Sequence, residues 1–142
     1  MSKPLPLTVC FAFFALALWH FYMALVPGSG GAAAVPSVEG KRLFTPSRLA
    51  TVGVGVLLTL FSVLVAATAG MISVGLPRVA LSWLSYALAA GLLARAIGEF
   101  KYVGFFKRVR GTEFARLDTM LYSPLCLLLS VGVALVGFQH GT

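Results

Sequence analysis

Residues 49–72 read LATVGVGVLLTLFSVLVAATAGMI, twenty-four residues without one charged side chain. A helix rises about 1.5 Å per residue, so this run spans about 36 Å. That exceeds the roughly 30 Å hydrocarbon core of a bilayer. Three further stretches are long and mostly apolar: Leu7–Val26, Val79–Phe100, which is apolar up to Ala94 and then meets Arg95 and Glu99, and Thr119–Phe138. Turn-forming residues divide them at Pro27-Gly28-Ser29-Gly30-Gly31, at Gly75-Leu76-Pro77 and at Gly111. Whole-chain composition agrees. Of 142 residues, 59% are hydrophobic and only 11% are charged, against about 25% charged in soluble domains. This excludes an ordinary soluble enzyme, a disordered chain and a disulfide scaffold. The expected architecture is all-α: one integral membrane domain over residues 1–142, an antiparallel up-and-down four-helix bundle. The first span is expected to stay in place rather than be cleaved, because its apolar run is longer than the usual signal-peptide core of 7–15 residues.

The basic residues set the orientation. With four spans, Lys3, Arg78 and both termini share one side. The other side carries Lys41, Arg42 and Arg48 in the first loop and Lys101, Lys107, Arg108, Arg110 and Arg116 in the third. Basic loops stay in the cytoplasm, so both termini are expected outside, in a bacterial inner (plasma) membrane. The net charge of +7 is then a topology signal, and no recognised nucleic-acid fold accompanies it.

This path draws most ionisable side chains to the cytoplasmic leaflet. His20 lies about six residues from the inner end of span one. Arg95 and Glu99 close span three with i,i+4 spacing, which places them on one helix face. Asp118, Tyr122 and Ser123 open span four. The candidate polar cluster is His20, Arg95, Glu99, Tyr102, Arg116, Asp118 and Tyr122. Arg95 paired to Glu99 also fits simple snorkelling at a helix end. His20 and His140 fall at opposite faces of the membrane, and no metal-ligand spacing is present, so neither a metal nor another cofactor is expected. Cys10 and Cys126 differ in depth by roughly 15 Å, too far for a disulfide. Catalytic residues are not assignable.

The third loop alternates rings and cations: Phe100-Lys101-Tyr102-Val103-Gly104-Phe105-Phe106-Lys107-Arg108-Val109-Arg110. It reads as a headgroup-zone segment, with Lys101, Lys107, Arg108 and Arg110 turned toward anionic lipid. The rival reading is an anionic-ligand site using Lys107, Arg108 and Arg116. Beyond it, Phe114, Leu117 and Leu121 recur at helical spacing. Pro124 after Ser123 suits the first position of a helix, with Ser123 as its cap. Residues 119–123 would then complete the crossing as a kinked turn.

Several of these stretches carry a resemblance. They are Trp19-His20-Phe21-Tyr22, Val35-Pro36-Ser37 with Leu43-Phe44-Thr45-Pro46-Ser47, and the run from Arg95 through Lys107-Arg108, Thr112, Phe114-Ala115-Arg116, Asp118-Thr119 and Tyr122-Ser123-Pro124-Leu125-Cys126. Together they resemble the bacterial membrane-protein family catalogued as domain of unknown function 3995. The resemblance implies a small four-helix membrane protein and brings no reaction, substrate or cofactor. The leading expectation is a binding or scaffold protein with a cytoplasm-facing polar pocket for a lipid or a partner helix. The pocket could also take an anionic lipid or a small hydrophobic ligand, and the chain could form homo-oligomers or join a partner membrane protein. The alternatives are a membrane enzyme acting on a lipid or isoprenoid, then a small dimeric transporter. An alkaline phosphatase fused after Thr142 should be active in cells; an inactive fusion, with an active cytoplasmic reporter at the same point, would reverse the orientation.

Overall fold

The computed structural model describes residues 4–26, 35–39, 41–43, 47–98 and 102–140. Its elements are α1 (Pro4–Leu25), a minimal hairpin of β1 (Ser37–Val38) and β2 (Lys41–Arg42), α2 (Arg48–Thr68), α3 (Arg78–Ile97), α4 (Glu113–Leu117), a π-helical turn (Asp118–Tyr122) and α5 (Ser123–His140). Four helical stretches are long and apolar enough to cross a membrane: α1, α2, α3 and the continuous run Glu113–His140. The hairpin, with Ser37 opposite Arg42 and Val38 opposite Lys41, is the one strand feature among the described residues and departs from a purely helical expectation.

The helix ends follow local chemistry. The Ser47 hydroxyl caps α2 by accepting from the Ala50 N–H at 3.0 Å. α2 stops at Thr68, earlier than the apolar run, because Gly70 takes φ +74°. α3 ends before Gly98, which has φ +86°. The final helical run begins at Thr112 and not at Ser123. Thr112 has extended backbone, and its hydroxyl accepts from the Ala115 N–H at 3.0 Å. Ser123 is helical, at φ −69° and ψ −44°. The reason lies in Pro124, which cannot donate to the carbonyl four residues back and crowds it. A π turn immediately before the proline widens the helix there, and the Ser123 N–H bonds to the Asp118 carbonyl. The widened turn also breaks the spacing of Phe114, Leu117 and Leu121. Phe114 is buried, whereas Leu121 is exposed.

α1 packs chiefly on α2, and α3 chiefly on α5. Val9 and Phe13 from α1, Val65 from α2, Ala89 from α3 and Leu129, Val133 and Val136 from α5 form the shared core. Phe13 meets Phe61 edge-on at 5.7 Å between centroids. Hydroxyls join the helices around this core. Ser62 donates to the Cys10 carbonyl at 3.0 Å, and the Cys10 thiol donates to the Ser62 carbonyl at 3.4 Å. Thr68 Oγ1 and Ser85 Oγ lie 2.9 Å apart, Ser82 donates to the Gly137 carbonyl at 3.3 Å, and Ser130 donates to the Ala89 carbonyl at 2.7 Å. Outside the core the helices present large apolar side chains, among them Phe11, Leu49, Leu60, Trp83 and Phe138, a surface suited to hydrocarbon.

The chain after α3 turns back on itself at two glycines. A Cβ on Gly98 would strike the Val103 carbonyl, and one on Gly104 (φ +90°) would strike the Ile97 carbonyl and the Gly98 Cα. Phe105 N–H donates to the Ala96 carbonyl at 2.9 Å and fixes the return. Gly98→Ala is therefore expected to lower thermal stability in detergent, by more than the roughly 1–2 kcal/mol of left-handed strain alone. Gly53→Ala, in α2 with no atom within 4 Å of the added carbon, should not lower it. Equal melting shifts for the two variants would contradict this account of the loop.

Candidate functional site

The returning loop meets the π turn at Asp118. This side chain is fully buried, at 0% exposure, and a carboxylate in apolar surroundings needs donors on both oxygens. It has three. Arg95 Nη2, from the last turn of α3, donates to Oδ1 at 2.8 Å. The Gly104 N–H donates to Oδ2 at 2.6 Å, and Lys107 Nζ donates to Oδ2 at 3.2 Å.

Lys107 is as deeply placed as its partner, with a side chain 0% exposed. Besides Asp118, its ammonium donates to the Gly104 carbonyl at 2.9 Å and to the Thr119 hydroxyl. Three hydrogens thus meet three acceptors. Gly104 serves both ends, its N–H on the carboxylate and its C=O on the ammonium, so Asp118, Gly104 and Lys107 form a closed ring. Only a residue without a side chain brings its backbone that close. Arg95 differs from Lys107: its side chain is 33% exposed. Its second terminal nitrogen, Nη1, is buried without a hydrogen-bond partner among the described residues, as is the Ser123 hydroxyl. An unfilled buried polar group costs about 1–3 kcal/mol.

The residues singled out from sequence distribute as follows. Arg95 and Asp118 are in direct contact. Tyr122 shares the π turn with Asp118, and its ring tilts against buried Phe114 at 5.7 Å. Tyr102 is half-buried in the returning loop, while Arg116 is exposed on α4. Glu99 and Lys101 lie outside the described residues, and the Arg95 partner among the described residues is Asp118. His20 is not joined to this cluster by any hydrogen bond or ion pair among the described residues. Its Nδ1 donates to the Leu16 carbonyl of its own helix at 2.8 Å. Of the loop cations assigned to lipid headgroups, Arg108 and Arg110 are exposed. Lys107 is not at the surface but inside, because the Gly98–Gly104 turn points it at Asp118. Arg110 braces the same loop, donating to the Lys107 and Phe105 carbonyls at 3.3 and 3.1 Å. Gly104 and Thr119 complete the site: the Thr119 hydroxyl is legible beside Asp118 at the start of span four, whereas Gly104 acts through its backbone and has no sequence signal beyond a glycine pair bracketing a short segment.

Elsewhere, α1 and α2 border an open groove of about 640 Å³ lined by Leu7, Thr8, Cys10, Phe11, Phe14 and Ser62. Its polar groups are already engaged: Thr8 bonds the Pro4 carbonyl, and Cys10 and Ser62 bond one another's backbones. Both cysteines are free thiols. Among the described residues no three His, Cys, Asp or Glu side chains gather as a metal ion would need.

A family model described as Protein of unknown function (DUF3995) matches residues 13–133. The chain belongs to the DUF3995 family. That match takes in the whole of the Arg95–Asp118–Lys107 cluster. No curated protein and no solved structure matches this DUF3995 chain. The family description assigns no activity, so the chemistry of the cluster is the guide to function.

Lys107→Ala would leave a buried carboxylate short of one charge, a loss of about 3–5 kcal/mol for breaking a buried pair. Arg108→Ala, one residue on and exposed, should stay within about 0.5 kcal/mol of wild type. Chemical denaturation in detergent micelles separates the two; equal effects would mean that Lys107 is not held by Asp118.

Proposed function

We propose that this DUF3995 protein is a four-pass protein of the bacterial inner membrane. Its termini lie outside, and it binds an anionic lipid headgroup at its cytoplasmic end without catalysing a reaction. Several observations support an up-and-down path. Cys10 meets Ser62 while Phe21 meets Gly55, and Ser82 meets Gly137 while Ser130 meets Ala89. Each pair of contacts runs in opposite senses along its two helices. The eight basic residues of the first and third loops then argue for a cytoplasmic position of the Asp118 end.

The observation that carries the binding reading is the charge excess at that end. Residues 95–118 hold six Lys or Arg and three Asp or Glu. Asp118 is already engaged by two of the cations, and Arg108, Arg110 and Arg116 are exposed around it. Anionic headgroups are the abundant partner for such a surface at the cytoplasmic leaflet. An acid–base enzyme ranks behind, since both Asp118 oxygens already accept hydrogen bonds and His20 is bonded within α1. A transporter ranks third for the same reason: the membrane-embedded carboxylate is pinned.

In nanodiscs the protein should melt higher with phosphatidylglycerol than with phosphatidylcholine alone. High salt should shrink the difference, because exposed charges are screened over about 10 Å at 0.1 M and less above it. Identical melting in both lipids would end this reading.

A further inference from the structure

Arg95 stands apart from the other members of the ion cluster. Lys107 spends all three donors inside the ring with Gly104, Asp118 and Thr119. The Gly104 N–H is spent on the same carboxylate. Arg95 gives Asp118 one nitrogen, keeps one third of its side chain exposed, and has its opposite nitrogen buried and unfilled among the described residues. The fully buried Ser123 hydroxyl is unfilled too. Ser123 belongs to the same turn, its N–H on the Asp118 carbonyl, so it is anchored to the residue that Arg95 grips. Among the described residues, two buried unfilled polar groups thus belong to this end of the molecule: one on the cation that grips Asp118, whose side chain is one third exposed, and one on the turn that carries Asp118.

We propose that Arg95 and Ser123 form a binding site for a phosphate group, with Arg95 as the arm that reaches it. The inference rests on the anionic-headgroup reading above and assigns it a location. A phosphate has the matching chemistry: several acceptor oxygens in a tetrahedral set, one for a guanidinium edge and one for a hydroxyl, and the negative charge that a water lacks. Entry is on the exposed side of Arg95. Nη2 stays on Oδ1 of Asp118 while Nη1 meets the incoming oxygen, and Lys107 and Gly104 continue to hold Oδ2, so both carboxylate oxygens keep their donors. The phosphate can be that of a lipid or a free anion.

Native mass spectrometry of the detergent-purified full chain with an equal mixture of phosphatidylglycerol and phosphatidylcholine tests this, alongside melting curves with inorganic phosphate. Wild type should retain phosphatidylglycerol preferentially. Arg95→Gln should reduce that retention by about tenfold, the scale of one hydrogen bond to a charged group. Ser123→Ala should reduce it by a smaller factor and yet melt no lower than wild type without anion, because it removes an unfilled buried hydroxyl. Lys41→Gln, in the first loop, should match wild type. A melting rise with inorganic phosphate that Arg95→Gln abolishes, without lipid retention, supports the site and gives the free anion as its source. Retention unchanged in Arg95→Gln but lost in the double variant Arg108→Gln, Arg110→Gln overturns the site and leaves the anionic-lipid reading standing. A wild type indifferent to both phosphatidylglycerol and phosphate overturns both. If Arg95→Gln does not fold, Ser123→Ala decides alone, and unchanged retention there overturns the site.

Discussion

A carboxylate buried in an apolar bundle must be fully solvated by the protein itself, and one end of this molecule is organised around that demand at Asp118. The side chain is fully buried and hydrocarbon gives nothing, so each oxygen needs donors from neighbouring segments. Arg95 arrives from the end of α3 and Lys107 and Gly104 from the returning loop. Three pieces of chain, distant in sequence, are tied at one atom group. Buried ion pairs are weak sources of net stability, but taking one partner away from the other is strongly destabilising. Any loop conformation that moved Lys107 outward would strand the carboxylate, so the cluster selects one path for the loop as much as it strengthens it.

The rest of the bundle is held by a different kind of contact. Between apolar helices in lipid there is little hydrophobic drive, and association rests on close packing and on hydroxyl–carbonyl bonds worth about 0.6 kcal/mol each. Thr68 with Ser85, Ser82 with Gly137, Ser130 with Ala89 and the reciprocal Cys10–Ser62 pair distribute such bonds along the helices. The two halves of the problem are thus separate. Small polar residues set the packing of α1, α2, α3 and α5, and charged ones set the loop and the start of the last span.

That division explains what the sequence discloses. The spans are legible because runs such as residues 49–72 allow no other fate, and Gly70, Gly98 and Thr112 account for the ends that move inside the bundle's loops. The convergence of Arg95 with Asp118 follows from path-counting alone, since both fall at the same ends of adjacent spans. Lys107 could not be separated from Arg108 and Arg110 in this way. In one dimension each is a cation among aromatics. The distinction arises only when Gly98 and Gly104 close the loop and aim one of the three inward. The His20 position shows the converse limit: shared depth says nothing about which way a side chain faces, and its nitrogen is spent within its own helix turn.

The π turn carries a consequence for the reading frame of the last helix. It holds one residue more than an α-helical turn would, and each residue advances a helix by about 100°. Asp118 and Ser123 therefore belong to two helical phases joined by an inserted step. Deleting a single residue between them would return the run Glu113–His140 to one continuous phase and leave its length and apolarity intact. The core face of Leu129, Val133 and Val136 could still seat against α1 and α3. Asp118 would then swing around the helix axis by that same step, out of reach of Arg95 and Lys107. In this chain, membrane crossing and polar-site assembly are encoded on two registers, and one inserted residue keeps them aligned.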